Sequence, residues 1–153
     1  MSDTPEERLK ALGIILPTPP MPVANYVPYL IVDDMLHISG QLPLGPNGLV
    51  YKGKLGEEVS LEEGVAAARL SATNILAQAK AAVGDLSQIR RVVSITAFVA
   101  SAPSFIQHAV VVNGASNLLG EVFGERGKHT RSSVGVCVLP LDATIEIEAK
   151  FAV

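Results

Sequence analysis

The sequence is poor in cysteine and has no long run of apolar residues. Its single cysteine, Cys137, excludes an internal disulfide. No apolar run approaches the roughly 18 residues that indicate a bilayer-spanning helix, and the first residues do not have the pattern of a signal peptide. We therefore expect a cytoplasmic protein that has no membrane partner.

Basic residues are scarce as well. The chain has 12 lysines and arginines against 15 aspartates and glutamates, which gives a net charge of -3 and a pI near 5.6. Proteins that bind nucleic acid normally present a basic surface to the phosphates, so we predict no nucleic-acid partner. The spacing of His37, His108 and His129 would not place two of them on one face of an element, and we predict neither a metal site nor a cofactor.

Apolar residues are abundant, at 48% of the chain with a mean hydropathy of +0.36. We predict a single domain over residues 1–153 with a large core, and burial of part of this apolar surface between identical subunits. Thr4 followed by Pro5 has the pattern of a helix N-terminus. The sequence PTPPMP at residues 17–22 must be extended, so residues 1–22 are predicted to form a short helix and a proline-rich linker.

Hydrophobic periodicity predicts the elements that follow. The run YVPYLIVDDMLHISGQLP indicates two strands with a turn at Asp33 and Asp34. Apolar residues at helical spacing predict a helix over residues 61–83 and a second one after Ser104. The β-branched run at residues 90–100 predicts a buried strand between the two helices. This order favours an α/β (α+β) fold in which both helices cover one face of a mixed sheet.

The stretch RSSVGVCVLPLDATIEIEA, at residues 131–149, predicts two strands joined by a turn at residues 140–142. Alternation would place the valines of the first strand in the core. The opposite face of that strand would then carry Arg131, Ser133, Gly135 and Cys137, and the same face of the second strand would carry Glu146 and Glu148. A face with one arginine, small residues and carboxylates suits the binding of a small carboxylate and acid–base chemistry. The alternative is a solvated outer face whose ion pairs stabilise the fold by only about 0–1 kcal/mol each.

Several of these motifs resemble the RidA family, which is also described as endoribonuclease L-PSP or translation initiation inhibitor. They are SGQLP from Ser39, VGDLSQIRRVVSITAFV from Val83, VVNGAS around Asn113, TRSSVGV from Thr130, and LPLDATIEIEA from Leu139. The resemblance covers residues 25–153 and implies a homotrimer of chorismate-mutase-like fold, with a mixed six-stranded sheet and three clefts between subunits. The N-terminal helix and linker are similar to those of a longer branch of the family.

The resemblance also implies roles for individual residues. By its motifs, Arg131 would hold the carboxylate of a substrate and Glu146 would place an attacking water. Further contacts to the substrate would come from Tyr26, Ser39, Gly40, Asn113 and Ser133. The chain departs from the family pattern in two places, since Ser133 stands where cysteine is common and His129 stands where proline is common.

The function that the resemblance implies is the hydrolytic deamination of reactive 2-imino and enamino acids to 2-oxo acids and ammonia. The C=N carbon is already electrophilic, so the protein needs to hold the carboxylate, place a water and move protons, and it needs no metal for this. Two alternatives remain open at this point. One is a protein that binds a small carboxylate without turnover, and the other is an endoribonuclease or translation inhibitor, which the acidic net charge disfavours.

Overall fold

The computed structural model describes residues 3–19 and 21–153. Within them the α-helices are α1 (Pro5–Ala11), α2 (Leu61–Val83) and α3 (His108–Phe123), and the strands are β1 (Tyr29–Val32), β2 (Met35–Gln41), β3 (Leu44–Gly45), β4 (Gly48–Leu49), β5 (Arg91–Ala100), β6 (Thr130–Val136) and β7 (Ile145–Ala152). None of these helices is both long and apolar enough to cross a membrane. Residues 1, 2 and 20 of the predicted helix and linker lie outside the described ranges.

Helix α1 is present where the sequence predicts it and packs against α3 and the turn that follows α2. The Thr4 hydroxyl accepts a hydrogen bond from the Glu7 backbone N–H at 3.2 Å, and the Glu7 carboxylate accepts one from the Thr4 N–H at 2.9 Å, which completes a capping box. Glu6 accepts a hydrogen bond of 2.7 Å from the Leu86 N–H, just beyond α2. These bonds and the buried Leu9 hold the N-terminal helix on the domain.

The main sheet has the order β1-β2-β7-β5-β6, in which only the β5–β6 pair is parallel. The prediction of a mixed sheet is confirmed, but the sheet has five strands and not six. The short strands β3 and β4 pair only with each other, around Gly48 at φ 104°, and do not join it. The turn at residues 140–142 is confirmed, with Leu141 and Asp142 at positive φ. However, β5 lies between the two strands that this turn connects.

Helices α2 and α3 cover one face of the sheet, which we call the helix face. Alternate residues of β5 and β7 on this face are fully or almost fully buried in the core, among them Ile95, Ile145 and Ile147. No helix of the described residues covers the opposite face, which we call the open face, and the segment at residues 24–27 lies beside part of it. Val134 and Leu30 on the open face are 44% and 55% exposed. The single chain therefore leaves these apolar side chains exposed.

Two glycines of α3 should respond in opposite ways to substitution by alanine. A Cβ at Gly114 would collide with the backbone carbonyl of Val65 in α2, whereas a Cβ at Gly120 meets nothing within 4 Å. We expect Gly120→Ala to raise the free energy of unfolding by about 0.5–1 kcal/mol, because alanine is the better helix former. We expect Gly114→Ala to lower it by about 1–3 kcal/mol, because the helices must separate.

Urea unfolding of the two glycine variants at one protein concentration measures both effects. Equal shifts would contradict the close contact of α2 and α3 at Gly114.

Candidate functional site

Arg131 lies on the helix face of β6, at the edge of the sheet. It pairs with Ile95 of β5, which is buried beneath the helices, and directly paired residues point to the same side of a sheet. The predicted orientation of β6 is therefore wrong: Val134 is on the open face, and Arg131 does not share a face with Glu146. The alternation of valines shows that the two faces of a strand differ, but it does not show which face the helices cover.

The guanidinium of Arg131 is held against α3 by neutral oxygen atoms. Nη1 donates to the Ser116 hydroxyl at 3.0 Å, and Nη2 donates to the Ala109 carbonyl at 3.1 Å. Asn113 lies between these two residues on the same face of the helix. Over residues 3–19 and 21–153, no carboxylate lies within ion-pair distance of Arg131. Its remaining N–H groups are free to bind the carboxylate of a ligand.

A cleft of about 350 Å³ surrounds this guanidinium, and we call it the Arg131 cleft. It is lined by Asn113, Ser116, Gly120, Gly127, Lys128, His129 and Arg131. Asn113 is exposed and offers an amide beside the arginine. Ser133 follows Arg131 on the same side of β6, but its hydroxyl is buried and has no hydrogen-bond partner among the described residues. The cleft thus combines a fixed cation with neutral hydrogen-bonding groups, which suits a small anion.

A second group of predicted residues meets on the open face, and we call Tyr26, Ser39, Gly40 and Glu146 the open-face site. A Cβ at Gly40 would collide with the carboxylate of Glu146, so glycine is what lets Glu146 lie against β2. A groove of about 580 Å³ adjoins them and is lined in part by Tyr26, Ser39 and Glu148. The Ser39 hydroxyl donates to the Val27 carbonyl at 2.8 Å and fixes the segment that carries Tyr26.

The pKa of Glu146 is raised above its ordinary value. Burial of the carboxyl group is the larger cause, and the neighbouring charge of Glu148 adds to it. A carboxyl group with a raised pKa exchanges its proton more readily near neutral pH than an ordinary glutamate does. A shift in this direction brings a carboxyl group closer to what general acid–base catalysis requires.

The Arg131 cleft and the open-face site are separate within one chain. Glu146 of β7 pairs with Phe98 of β5. Three residues along β5, Ile95 pairs with Arg131 of β6 on one side and with Ala149 of β7 on the other. Two strand spacings and three residues along the strand therefore separate Arg131 from Glu146, or roughly 10 Å in each direction. The two side chains also point to opposite faces of the sheet. One chain does not bring all the predicted site residues to a single ligand.

Sequence reasoning missed Ser116 and did not recognise the contacts of His129. Ser116 follows Asn113 by three residues, a spacing that places both on one face of a helix, and this was the available signal. In the ranges that the structure describes, no group of three or more His, Cys, Asp or Glu side chains could hold a metal ion.

Comparison with known proteins identifies the family. Residues 6–151 match the profile of the family described as "YjgF/chorismate mutase-like, putative endoribonuclease". The chain belongs to the YjgF/RidA family. Protein TCP17 of Trypanosoma cruzi is 46% identical over 142 residues, which cover 92% of this chain and 89% of that protein. The predicted family and the predicted chorismate-mutase-like fold are confirmed.

Three solved structures differ in their similarity to the chain. Atu1372 of Agrobacterium tumefaciens, a protein of unknown function, is 47% identical with a TM-score of 0.92, covering 97% of this chain and 92% of its own. RidA of an Antarctic Psychrobacter is 25% identical with a TM-score of 0.63, covering 89% and 94%. TdcF of Escherichia coli, solved with bound serine, is 25% identical with a TM-score of 0.61 and the same coverage.

Proposed function

We propose that this YjgF/RidA protein hydrolyses reactive 2-imino acids to 2-oxo acids and ammonia, at clefts between the subunits of a cytoplasmic homotrimer. The observation that supports this most is the state of Arg131, an arginine held by neutral oxygen atoms with donors left for a ligand carboxylate. A carboxyl group with a raised pKa, Glu146, supplies the second requirement of the reaction. The motifs and these two observations together support Arg131 and Glu146 as the residues that would carry the chemistry.

The mechanism needs only groups that the chain contains. Arg131, with Asn113 beside it, binds the carboxylate of the imino acid in a fork of N–H donors. Glu146 orients a water and takes its proton as the oxygen adds to the C=N carbon. The imine nitrogen is protonated, and the resulting carbinolamine releases ammonia as its hydroxyl proton leaves and the C=O bond forms. Water and imine are consumed, and one 2-oxo acid and one ammonia are formed.

The separation of the two groups of residues supports a site between subunits. A second copy packed on the open face would bury the exposed Val134 and Leu30. Such packing would let the Arg131 cleft of one subunit meet Tyr26, Ser39, Gly40 and Glu146 of the next. Neither subunit would complete a site alone.

The test is the disappearance of 2-iminopropionate, generated in place by an amino-acid oxidase, with and without the protein. We expect acceleration by the wild type. Mixing Arg131→Ala and Glu146→Gln chains before assembly should restore about one quarter of the wild-type rate, because random mixing gives that share of intact sites when two subunits form each site. A mixture as inactive as its components would contradict a shared site.

A second candidate is a protein that binds a small carboxylate without turnover. The relative TdcF was solved with bound serine, which carries a carboxylate of the kind that Arg131 would bind. This candidate predicts calorimetric binding of 2-oxobutyrate with no acceleration of imine loss. The endoribonuclease description of the family is a weaker guide here, because the net charge is -3. A salt titration with labelled RNA tests it directly.

A further inference from the structure

Behind Arg131 lies a short chain of hydrogen bonds that the proposed reaction does not use directly. Nδ1 of His129 is 2.6 Å from the Gly127 carbonyl oxygen, and Nε2 of the same ring is 2.9 Å from the Ser116 hydroxyl. That hydroxyl in turn accepts the 3.0 Å bond from Arg131 Nη1. All three side chains are half-buried, so water is partly excluded from these bonds.

The chemistry of the partners fixes the direction of the bonds to Gly127 and from Arg131. A carbonyl oxygen only accepts, so Nδ1 of His129 must carry a proton. A guanidinium only donates, so the Ser116 oxygen accepts from Arg131. The single hydroxyl proton of Ser116 is then free to bond to Nε2, which accepts it when the ring is neutral. With a neutral ring, every bond from Gly127 through His129 and Ser116 to Arg131 has one donor and one acceptor.

We propose that Ser116 and His129 are positioning residues that hold the Arg131 guanidinium in the orientation needed to bind a ligand carboxylate. This inference rests on the proposed function. Without His129, the Ser116 hydroxyl would turn to the backbone carbonyl of Val112 one helical turn before it, as serines in helices commonly do. The arginine would then lose a fixed acceptor, and its long side chain would sample other rotamers. The Ala109 carbonyl would be the one remaining acceptor in the described residues, and a single acceptor does not define the plane of the guanidinium.

Paired variants separate positioning from simple packing. Ser116→Ala and His129→Ala should raise KM for 2-iminopropionate about tenfold and change kcat less, because the carboxylate is bound equally in the ground and transition states. Ser116→Thr keeps a hydroxyl, and His129→Gln keeps an acceptor near the position of Nε2. Both should stay within about threefold of the wild-type KM. If all four variants had the KM of the wild type, the proposal would be overturned. It would also be overturned if the conservative variants raised KM as much as the alanine variants do.

Two further readouts distinguish failure of this inference from failure of the proposed function. Nitrogen NMR of the His129 ring in the wild type should show a proton on Nδ1, and a ring without that proton would overturn the hydrogen-bond chain whether or not imine is hydrolysed. Calorimetric titration with 2-oxobutyrate gives the carboxylate affinity without turnover, and we expect the same tenfold loss in Ser116→Ala. If Arg131→Ala abolishes turnover while Ser116→Ala and His129→Ala bind like the wild type, the function stands and the positioning role is wrong.

Discussion

Replacing Arg131 with alanine is expected to lower kcat/KM for 2-iminopropionate by about 100- to 1,000-fold, equivalent to about 2.7–4 kcal/mol of transition-state stabilisation. The substrate carboxylate would lose its charge-assisted fork, and no described carboxylate of the chain competes for this arginine. Arg131→Lys should recover only part of the loss, since lysine keeps the charge but not the planar pair of donors. The measurement is the initial rate of imine loss at several substrate concentrations.

A matched control is Arg90→Ala. Arg90 pairs with Asp34 at 2.8 Å, and their side chains are 60% and 67% exposed, so we expect a stability change of only about 0–1 kcal/mol and wild-type turnover. Circular dichroism and the oligomeric state of Arg131→Ala must match those of the wild type. An aggregated Arg131→Ala variant together with a fully active Arg131→Lys would show that Arg131 is a structural residue and not the ligand anchor.

The elements that the sequence predicts well are those with local signals at their ends. Helix α2 has the predicted bounds, Leu61–Val83, because the Ser60 hydroxyl caps its first turn and Gly84 ends it at φ 82°. The turn at Asp33 and Asp34 also forms as predicted, with Asp33 at φ 53°. The start of α3 is predicted less well. It begins at His108 and not directly after Ser104, because the Phe105 N–H bonds to the Ala102 carbonyl in a preceding turn.

The orientation of β6 and the partners of its residues depend on contacts that are distant in sequence. Alternation correctly separates Glu146 from Ile145 and Ile147, since α2 buries those isoleucines. For β6 the same reasoning fails because the strand is at the sheet edge, where Arg131 points to the helix face and Val134 points to the open face. An exposed valine on an edge strand breaks the usual link between apolar residues and the core of the chain.

The candidate residues themselves came from motifs, and the structure adds how they are divided. Tyr26, Ser39, Gly40 and Glu146 meet on one face, while Arg131 and Asn113 meet on the other. No spacing in the sequence shows this division, because it depends on β5 lying between β6 and β7. The division is also what makes a shared site testable, since each half can be removed in a different chain.

Replacing Glu146 with glutamine is expected to lower kcat by about 100- to 10,000-fold with a smaller change in KM. Glutamine has nearly the same shape and still contacts Gly40, but it cannot take a proton from water. Single-turnover rates of imine loss would measure the chemical step. A Glu146→Gln variant with wild-type kcat would assign proton transfer to another group and leave Glu146 as a neighbour of the site.

The raised pKa of Glu146 also predicts how this variant affects folding. Burial disfavours the ionised form, so the folded protein binds the proton more tightly than the unfolded chain, and this contribution to stability is lost as pH rises through the folded pKa. Glu146→Gln removes the charge, and we expect it to unfold at higher urea concentration than the wild type at neutral pH. The difference in urea midpoint between the variant and the wild type should disappear as the pH falls below the ordinary pKa of glutamate. A less stable variant at neutral pH would contradict the burial of this charge.

Glu148→Gln provides the matched control for the role of Glu146. The charge of Glu148 helps to raise the pKa of Glu146, so its removal should lower that pKa and keep most of the turnover. If Glu146 must be ionised to accept a proton from water, kcat falls on the acid side of its pKa, and this limb of the pH profile should move to lower pH in Glu148→Gln. A limb that stays in place would show that a different group titrates, whereas a shift in the predicted direction ties the proton transfer to Glu146 itself.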